Sequence, residues 1–232
     1  MARSFDGVDD QLLSPDNVVA GIDTQTKSVS LWCSRTGNPA ALQAVFVALT
    51  ADGAGNARFV LFHDAPAASG YRLYAFQNGT TFGAWRSTND ITNARHHLAI
   101  TYDRGLTANT PLLYVDGVSV AVSLVQTPVA ISTGEDTVKL GQSAGGTQDF
   151  AGAVSHAAFE GGQLWTAAMV NRAMWWGRPH GGLQVYHPLL TDKLVDEGSG
   201  AETLTATGTT VTNLVTPCVR PGSSMLGLNI GW

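Results

Sequence analysis

Residues 95–123 contain two runs separated by Arg104 to Thr110: Arg95-His96-His97-Leu98-Ala99-Ile100-Thr101-Tyr102-Asp103, and Pro111-Leu112-Leu113-Tyr114-Val115-Asp116-Gly117-Val118-Ser119-Val120-Ala121-Val122-Ser123. His96 to Asp103 and Pro111 to Val115 are short and rich in β-branched and aromatic residues, the composition of strands. Asp116-Gly117 supplies two residues that tolerate positive φ, so Val118 to Ser123 returns antiparallel to the strand before it. The same pattern extends in both directions. Ser28 to Ser34 alternates, with Val29, Leu31 and Cys33 on one face and Ser28, Ser30 and Trp32 on the other, the period of a half-buried strand. Ala41 to Thr50, Arg58 to His63, Tyr71 to Gln77 and Thr81 to Arg86 read the same way, with Asn78-Gly79 as a hairpin signal. Thr137 to Gly141 and Phe150 to Glu160 add two strands around Gly145-Gly146, and Leu183 to Leu190 and Glu202 to Leu214 are extended. Strands recurring every roughly 8 to 12 residues define an all-β sandwich or barrel.

One helix interrupts the pattern. Leu164 to Trp176 brings Leu164, Ala168, Met169, Ala173 and Trp176 near one face, with Thr166 as N-cap and Gly177 and Pro179 as the stop. The adjacent Trp175 and Trp176 cannot both face one core. Composition agrees with a nearly helix-free chain: only four of the 18 acidic residues are Glu (Glu135, Glu160, Glu197, Glu202), and Glu is a usual filling of exposed helix faces. Residues 1–216 read as one domain. Pro217 to Trp232 has two prolines, three glycines and no periodicity, and reads as an extended C-terminal arm.

Charge excludes several classes of function. Charged residues are 13% of the 232, about half the usual ~25%, while 44% are apolar, so disorder is excluded. With a net charge of −5 and 13 thinly spread Lys and Arg, no basic stripe exists for nucleic acid. The longest apolar stretch, Pro39 to Leu49, is broken by Gln43 and far shorter than the roughly 20 residues of a membrane span. The N-terminus lacks the apolar core of a signal peptide, so synthesis in the cytoplasm is expected. Cys33 and Cys218 lie 185 residues apart and read as reduced, small apolar side chains.

Arg95 to Asp103 followed by Leu112 to Gly117 resembles the core signature of laminin G-like, concanavalin A-like jelly-roll domains. Ser4-Phe5-Asp6-Gly7-Val8-Asp9-Asp10 is similar to the first strand of that family in bacterial and phage proteins. Val138-Lys139-Leu140-Gly141 and Phe150-Ala151-Gly152-Ala153-Val154-Ser155 also match. The resemblance spans roughly residues 4–180 and implies a two-sheet antiparallel jelly-roll sandwich. The fold hosts glycan binders, glycosidases, adhesion modules and virion proteins.

Retaining glucanases of the superfamily place two Glu on one strand face, with carboxyls about 5 to 5.5 Å apart. No two of the four Glu here lie two to four residues apart, so that reaction is not expected and the chain reads as a non-enzyme. His96-His97 point to opposite strand faces and cannot chelate one ion; packing or hydrogen bonding is expected of them. No cofactor is expected; calcium, if bound, would take oxygen ligands from Asp52, Asn56, Asp64 and Asp103. Tyr71, Tyr74, Phe76, Phe82 and Trp85 cluster on consecutive strands. Tyr74, Phe76, Trp85 and Asn89 form a candidate glycan-binding set, against the alternative that these aromatics are core. In the arm, Met225, Leu226, Leu228, Ile230 and Trp232 have few local partners and are candidates for docking on a neighbouring copy or on the chain's own sheet edge. The leading expectation is therefore a non-enzymatic phage virion protein that decorates a capsid or forms part of a tail or fibre. It would be held by homo-oligomeric contacts or contacts to other virion proteins. The alternative is a lectin-like module for a host-surface or polymeric glycan.

Overall fold

A computed structural model describes residues 2–14, 24–37, 41–50, 57–64, 71–75, 82–129, 135–177, 179, 185–187, 189 and 204–212. In chain order the elements are β1 (Ala2–Asp6), β2 (Gln11–Leu13), β3 (Thr26–Arg35), β4 (Gln43–Thr50), β5 (Ala57–His63), β6 (Tyr71–Ala75), β7 (Gly83–Ser87) and β8 (His96–Asp103). They continue with β9 (Leu112–Val115), β10 (Val118–Val120), β11 (Val122–Gln126), β12 (Glu135–Leu140), β13 (Ala151–Gly161), α1 (Ala167–Trp176), β14 (Val185–His187), β15 (Thr205–Thr207) and β16 (Thr210–Thr212). The strands build two antiparallel sheets. One runs β10-β9-β8-β3-β13-β1-β16, with β14 also on β13; the other runs β11-β7-β6-β5-β4-β12-β2-β15. This is the expected all-β jelly-roll sandwich with one short helix.

The core lies between the sheets, as alternation requires. Val29, Leu31 and Cys33 of β3 and Leu98 and Ile100 of β8 meet Phe59 and Leu61 of β5, Trp85 of β7 and Val138 and Leu140 of β12. Two bulges adjust which residues face inward. In β4 the register shifts between Ala44 and Phe46, so Val45 and Phe46 both reach the core while Ala44 and Val47 face the other side. In β13 the shift lies between Ser155 and Ala158, where His156 adopts φ 50°. Past it, Ala157 and Phe159 return to the core. β1 pairs with β13 before this point and β14 after it.

The helix packs on the outside of the first sheet. Thr166 caps it, its hydroxyl accepting from Met169 N–H at 3.3 Å. Gly177, at φ 80°, closes it with a bond from its N–H to Ala173 C=O, the left-handed stop that favours glycine. The face that is buried differs from the expected one: Val170, Ala173 and Met174 point inward, whereas Leu164 and Trp176 are exposed. Leu164 precedes the cap and lies off the helix, which shifts the stripe. Ser28 Oγ donates to Gln163 C=O and accepts from Trp165 N–H, while Trp165 Nε1 donates to Glu160 at 2.6 Å. Trp32 Nε1 donates to Met174 C=O.

Two further expectations are corrected and one strand is added. Val118 to Ser123 is not one strand: it breaks at Ala121, β10 staying in the first sheet and β11 joining the second. Glu202 to Leu214 likewise divides at Gly208, with β15 on β2 and β16 on β1. A short strand, β2, follows the first one, paired with β12 and β15. The arm, 217–232, lies outside the described residues. Among the described residues no helix is long and apolar enough to cross a membrane.

Candidate functional site

The opening strand leads into a carboxylate cluster at one rim of the sandwich. Asp6 ends β1, and Asp9 and Asp10 precede β2; one ligand atom from each falls within 4.8 Å of the others. The loop is shaped by its own side chains, since Asp6 Oδ1 accepts from Val8 N–H at 2.8 Å and Asp10 Oδ2 accepts from Asp6 N–H at 2.5 Å. Asp10 is 3% exposed. Burial, reinforced by the charges of Asp6, Asp9 and Asp149, holds its carboxyl above the usual range, against the lowering effect of the Asp6 N–H.

Beside this cluster lies a polar cleft of about 240 Å³, lined by Gly7, Ala41, Leu42, Gln43, Thr147, Gln148 and Asp149. Its far wall is braced from below. Lys139 Nζ donates to Gln142 Oε1 at 3.0 Å and to Ser143 C=O at 3.2 Å, and Gln142 Nε2 donates to Asp149 Oδ1 at 2.7 Å. Burial lowers the Lys139 ammonium, with Asp149 acting the other way. Carboxylate and amide oxygens around a polar cleft accept hydrogen bonds from hydroxyl groups, and they are the oxygen donors that a hard cation takes. The strand reading of Ser4 to Asp10 passed over this cluster, although its Asp-x-x-Asp-Asp spacing is the available signal; Asp149 and Gln43 gave none.

The residues expected to bind are scattered. Trp85 is 2% exposed and sits in the core, edge-to-face on Tyr102 at 5.1 Å, so it is packing, not a surface platform. Register puts it in the row of Leu73 and Leu61, while Tyr74 pairs with Ala84 and Val60, one position out of step. The face carrying Ala84 and Val60 holds a second buried apolar cluster with Ala44, Val47 and Phe62. Asn89 is exposed in the loop after β7, and Phe76 lies outside the described residues.

The calcium candidates do not converge either. Asp64 is buried after β5, its Oδ2 3.4 Å from Arg86 Nε. Asp103 sits at the end of β8 opposite Thr26, accepting from Gly105 N–H at 2.7 Å. Asp64 lies toward the other end of β3, because Arg35 donates to the neighbouring His63 Nδ1 at 2.6 Å. The ten residues of β3 put roughly 30 Å between the two groups, too far to share an ion. Asp52 and Asn56, like Met225, Leu226, Leu228, Ile230 and Trp232, lie outside the described residues.

His96 and His97 part to opposite faces. His96 Nδ1 donates to Asp116 Oδ2 at 2.7 Å, with Thr92 Oγ1 2.9 Å from its Nε2. His97 is buried against the Trp32 ring at 5.4 Å, and burial pushes it down to about 3. The same cause brings His63 to about 3 and His156 to about 4.

A profile of the Concanavalin A-like lectin/glucanases superfamily matches residues 6–167. No curated protein matches the chain in sequence. Among solved structures, a heptameric SAP-like pentraxin from Limulus polyphemus is similar at a TM-score of 0.60 and 14% identity, over 90% of this chain and 93% of that one. The Trypanosoma rangeli sialidase in complex with the inhibitor DANA is similar at 0.53 and 13%, over 74% of this chain but 27% of the sialidase. The CBM40 of the Ruminococcus gnavus IT-sialidase, bound to α2,3 sialyllactose, is similar at 0.50 and 14%, over 75% of this chain and 97% of that one.

Proposed function

Since the chain belongs to the concanavalin A-like lectin/glucanase superfamily, a fold shared by structural and glycan-binding proteins, we propose that it is a non-enzymatic phage virion protein. In this reading it decorates a capsid or forms part of a tail or fibre, needs no cofactor, and assembles with further copies or with other virion proteins. The observation that carries the proposal is the surface. In a chain with 13% charged residues, Leu112, Val118, Leu124, Val125 and Val129 are each more than half exposed within 18 residues of chain. Depletion of charge together with exposed aliphatic residues is what a surface covered in an assembly looks like.

A second reading is a module that binds a host-surface or polymeric glycan. The polar cleft between Gln43 and Asp149 favours it, because its amides and carboxylate suit sugar hydroxyls. Two measurements decide between them. Genes flanking this one are expected to encode capsid or tail proteins, and mass photometry of the purified chain is expected to show a multi-subunit species. A monomer that binds a glycan on an array, encoded among genes for polysaccharide use, would overturn the virion reading in favour of the second.

A further inference from the structure

The two flanks of the sandwich are built differently. On one, β15 and β16 are three residues each, threonine-rich, with Thr205, Ala206 and Thr207 all exposed. Short polar edges of this kind are how sheets avoid unwanted pairing. On the other flank, β10 and β11 form one nearly continuous extended segment, Val118 to Gln126, that leaves the first sheet and enters the second at Ala121. Its inner side is tied down: Ala121 C=O accepts from Thr88 N–H at 2.9 Å, and β11 pairs with β7. Among the described residues no strand pairs with its outer side. Val118, Leu124 and Val125 are exposed there, and residues 117–134 contain no charged residue at all. Proline, lysine and inward charge are missing from 118–126, whose own protections are the shortness of β10 and an irregularity between Leu124 and Gln126.

We infer that this flank is the contact surface for a second copy of the chain, joined by antiparallel pairing of the 118–126 edge about a two-fold axis. An antiparallel edge is its own complement under such an axis, because each unpaired N–H meets a C=O of the same strand in the other copy. Charge agrees. A partner recognised by its charge would need an opposing charge here, whereas an uncharged valine- and leucine-bearing edge is matched by itself. The size is also adequate. Nine extended residues span about 30 Å, and a strip that long across two stacked sheets presents on the order of 600–800 Å² per copy, near the half-interface of a stable complex.

The inference deepens the assembly part of the virion reading and rests on it. Its test is sedimentation velocity of the full chain over a wide concentration range, comparing wild type with Val118→Lys, Leu124→Lys and the double variant. The two side chains are exposed, so the variants are expected to keep the wild-type circular dichroism spectrum and melting curve. Each is expected to weaken self-association at least about tenfold, the double variant sedimenting as a monomer. Val8→Lys, at an exposed apolar residue before β2, is expected to leave association unchanged. Hydrogen exchange of the wild type gives an independent reading: the amides of 118–126 are expected to slow as concentration rises. Assembly that persists unchanged in the double variant, or edge amides that stay fast where the chain is dimeric, would overturn the flank and leave the virion reading standing. A wild type that is monomeric throughout would overturn both the flank and the assembly of the chain with further copies, leaving only contacts to other virion proteins.

Discussion

Asp116 is one residue that performs several tasks. It holds φ 51°, followed by Gly117 at φ 78°, and that pair of left-handed residues turns β9 back onto β10. Its Oδ1 accepts from His97 N–H at 2.8 Å, its Oδ2 from His96, and its own N–H donates to His97 C=O. The turn is thereby fastened to the start of β8. Asp116→Ala is expected to destabilise the chain by about 2–4 kcal/mol, from a strained left-handed alanine and an N–H left without its acceptor. Asp116→Asn, which tolerates this backbone and retains an acceptor, is expected to cost less than about 1 kcal/mol; urea unfolding of both variants measures it. Equal losses would show that neither the backbone conformation nor the accepted bond matters. The turn at Asp116-Gly117 was legible because two residues tolerant of positive φ stood between two aliphatic runs. The place of Trp85 was not. Alternation says that positions 85 and 84 face opposite ways, but not which of the two faces the other sheet.

At the scale of elements, α1 shows how much a cap decides. Thr166 begins the helix, Gly177 ends it, and of the buried stripe between them Val170 and Ala173 pack with Trp165 on Ala99 of β8, Tyr114 of β9 and Ala158 of β13, while Met174 C=O accepts from Trp32 of β3. Thr166→Ala is expected to cost about 1 kcal/mol, while Thr166→Asp, a good cap that also faces the positive helix end, is expected to be neutral or stabilising. Thermal melts separate the two, and equal melting points would show that the cap is dispensable. The existence of the longer strands could be read from period and turn residues: β8 runs from His96 to Asp103 as expected, and β3 begins two residues before Ser28 and ends one after Ser34. What escaped was what depends on a partner strand. The break at Ala121 and the division at Gly208 are changes of sheet within a continuous β-like composition, and nothing in Val120-Ala121-Val122 marks which neighbour each residue pairs with. The bulges at Val45 and His156 escaped for a related reason: an extra residue reverses the inward face, and periodicity alone assigns the faces downstream of it wrongly. The rim cleft is the same case at longer range, since Gln43, Asp149 and the Asp6–Asp10 loop are separated by up to 143 residues of chain and are joined by the pairing of β1 with β13 in the first sheet and of β12 with β4 and β2 in the second.

For the whole molecule, three buried histidines on three strands make folding a proton-linked event. His63 of β5, His97 of β8 and His156 of β13 titrate at about 3, 3 and 4, against about 6.5 in an unfolded chain. Burial is the main cause in each. Arg35 lowers His63 further, Arg95 lowers His156, and His156 lowers His97 while Asp116 raises it. Because the folded values are depressed, the neutral forms are fully compatible with folding above about pH 6.5. Stability is then lost as pH falls from there toward 3 to 4, the unfolded chain taking up protons that the folded chain refuses. Each such group costs about 1.4 kcal/mol per pH unit in that window, so the three together are expected to remove on the order of 4 kcal/mol per unit, a large part of a typical domain stability of about 5–15 kcal/mol. Asp10 acts with the opposite sign. Its raised carboxyl value makes the charged form unfavourable in the folded chain, so acidification relieves it, but it is one group against three. Urea unfolding between pH 7 and pH 4 is therefore expected to show a midpoint that falls steeply with acid. His97→Phe, which keeps an aromatic ring against Trp32 and removes one proton acceptor, is expected to reduce the slope by about a third. A midpoint that stays level across this range would mean that the folded chain protonates these histidines readily, and that the packing around Trp32, Arg35 and Arg95 is looser than the geometry described above.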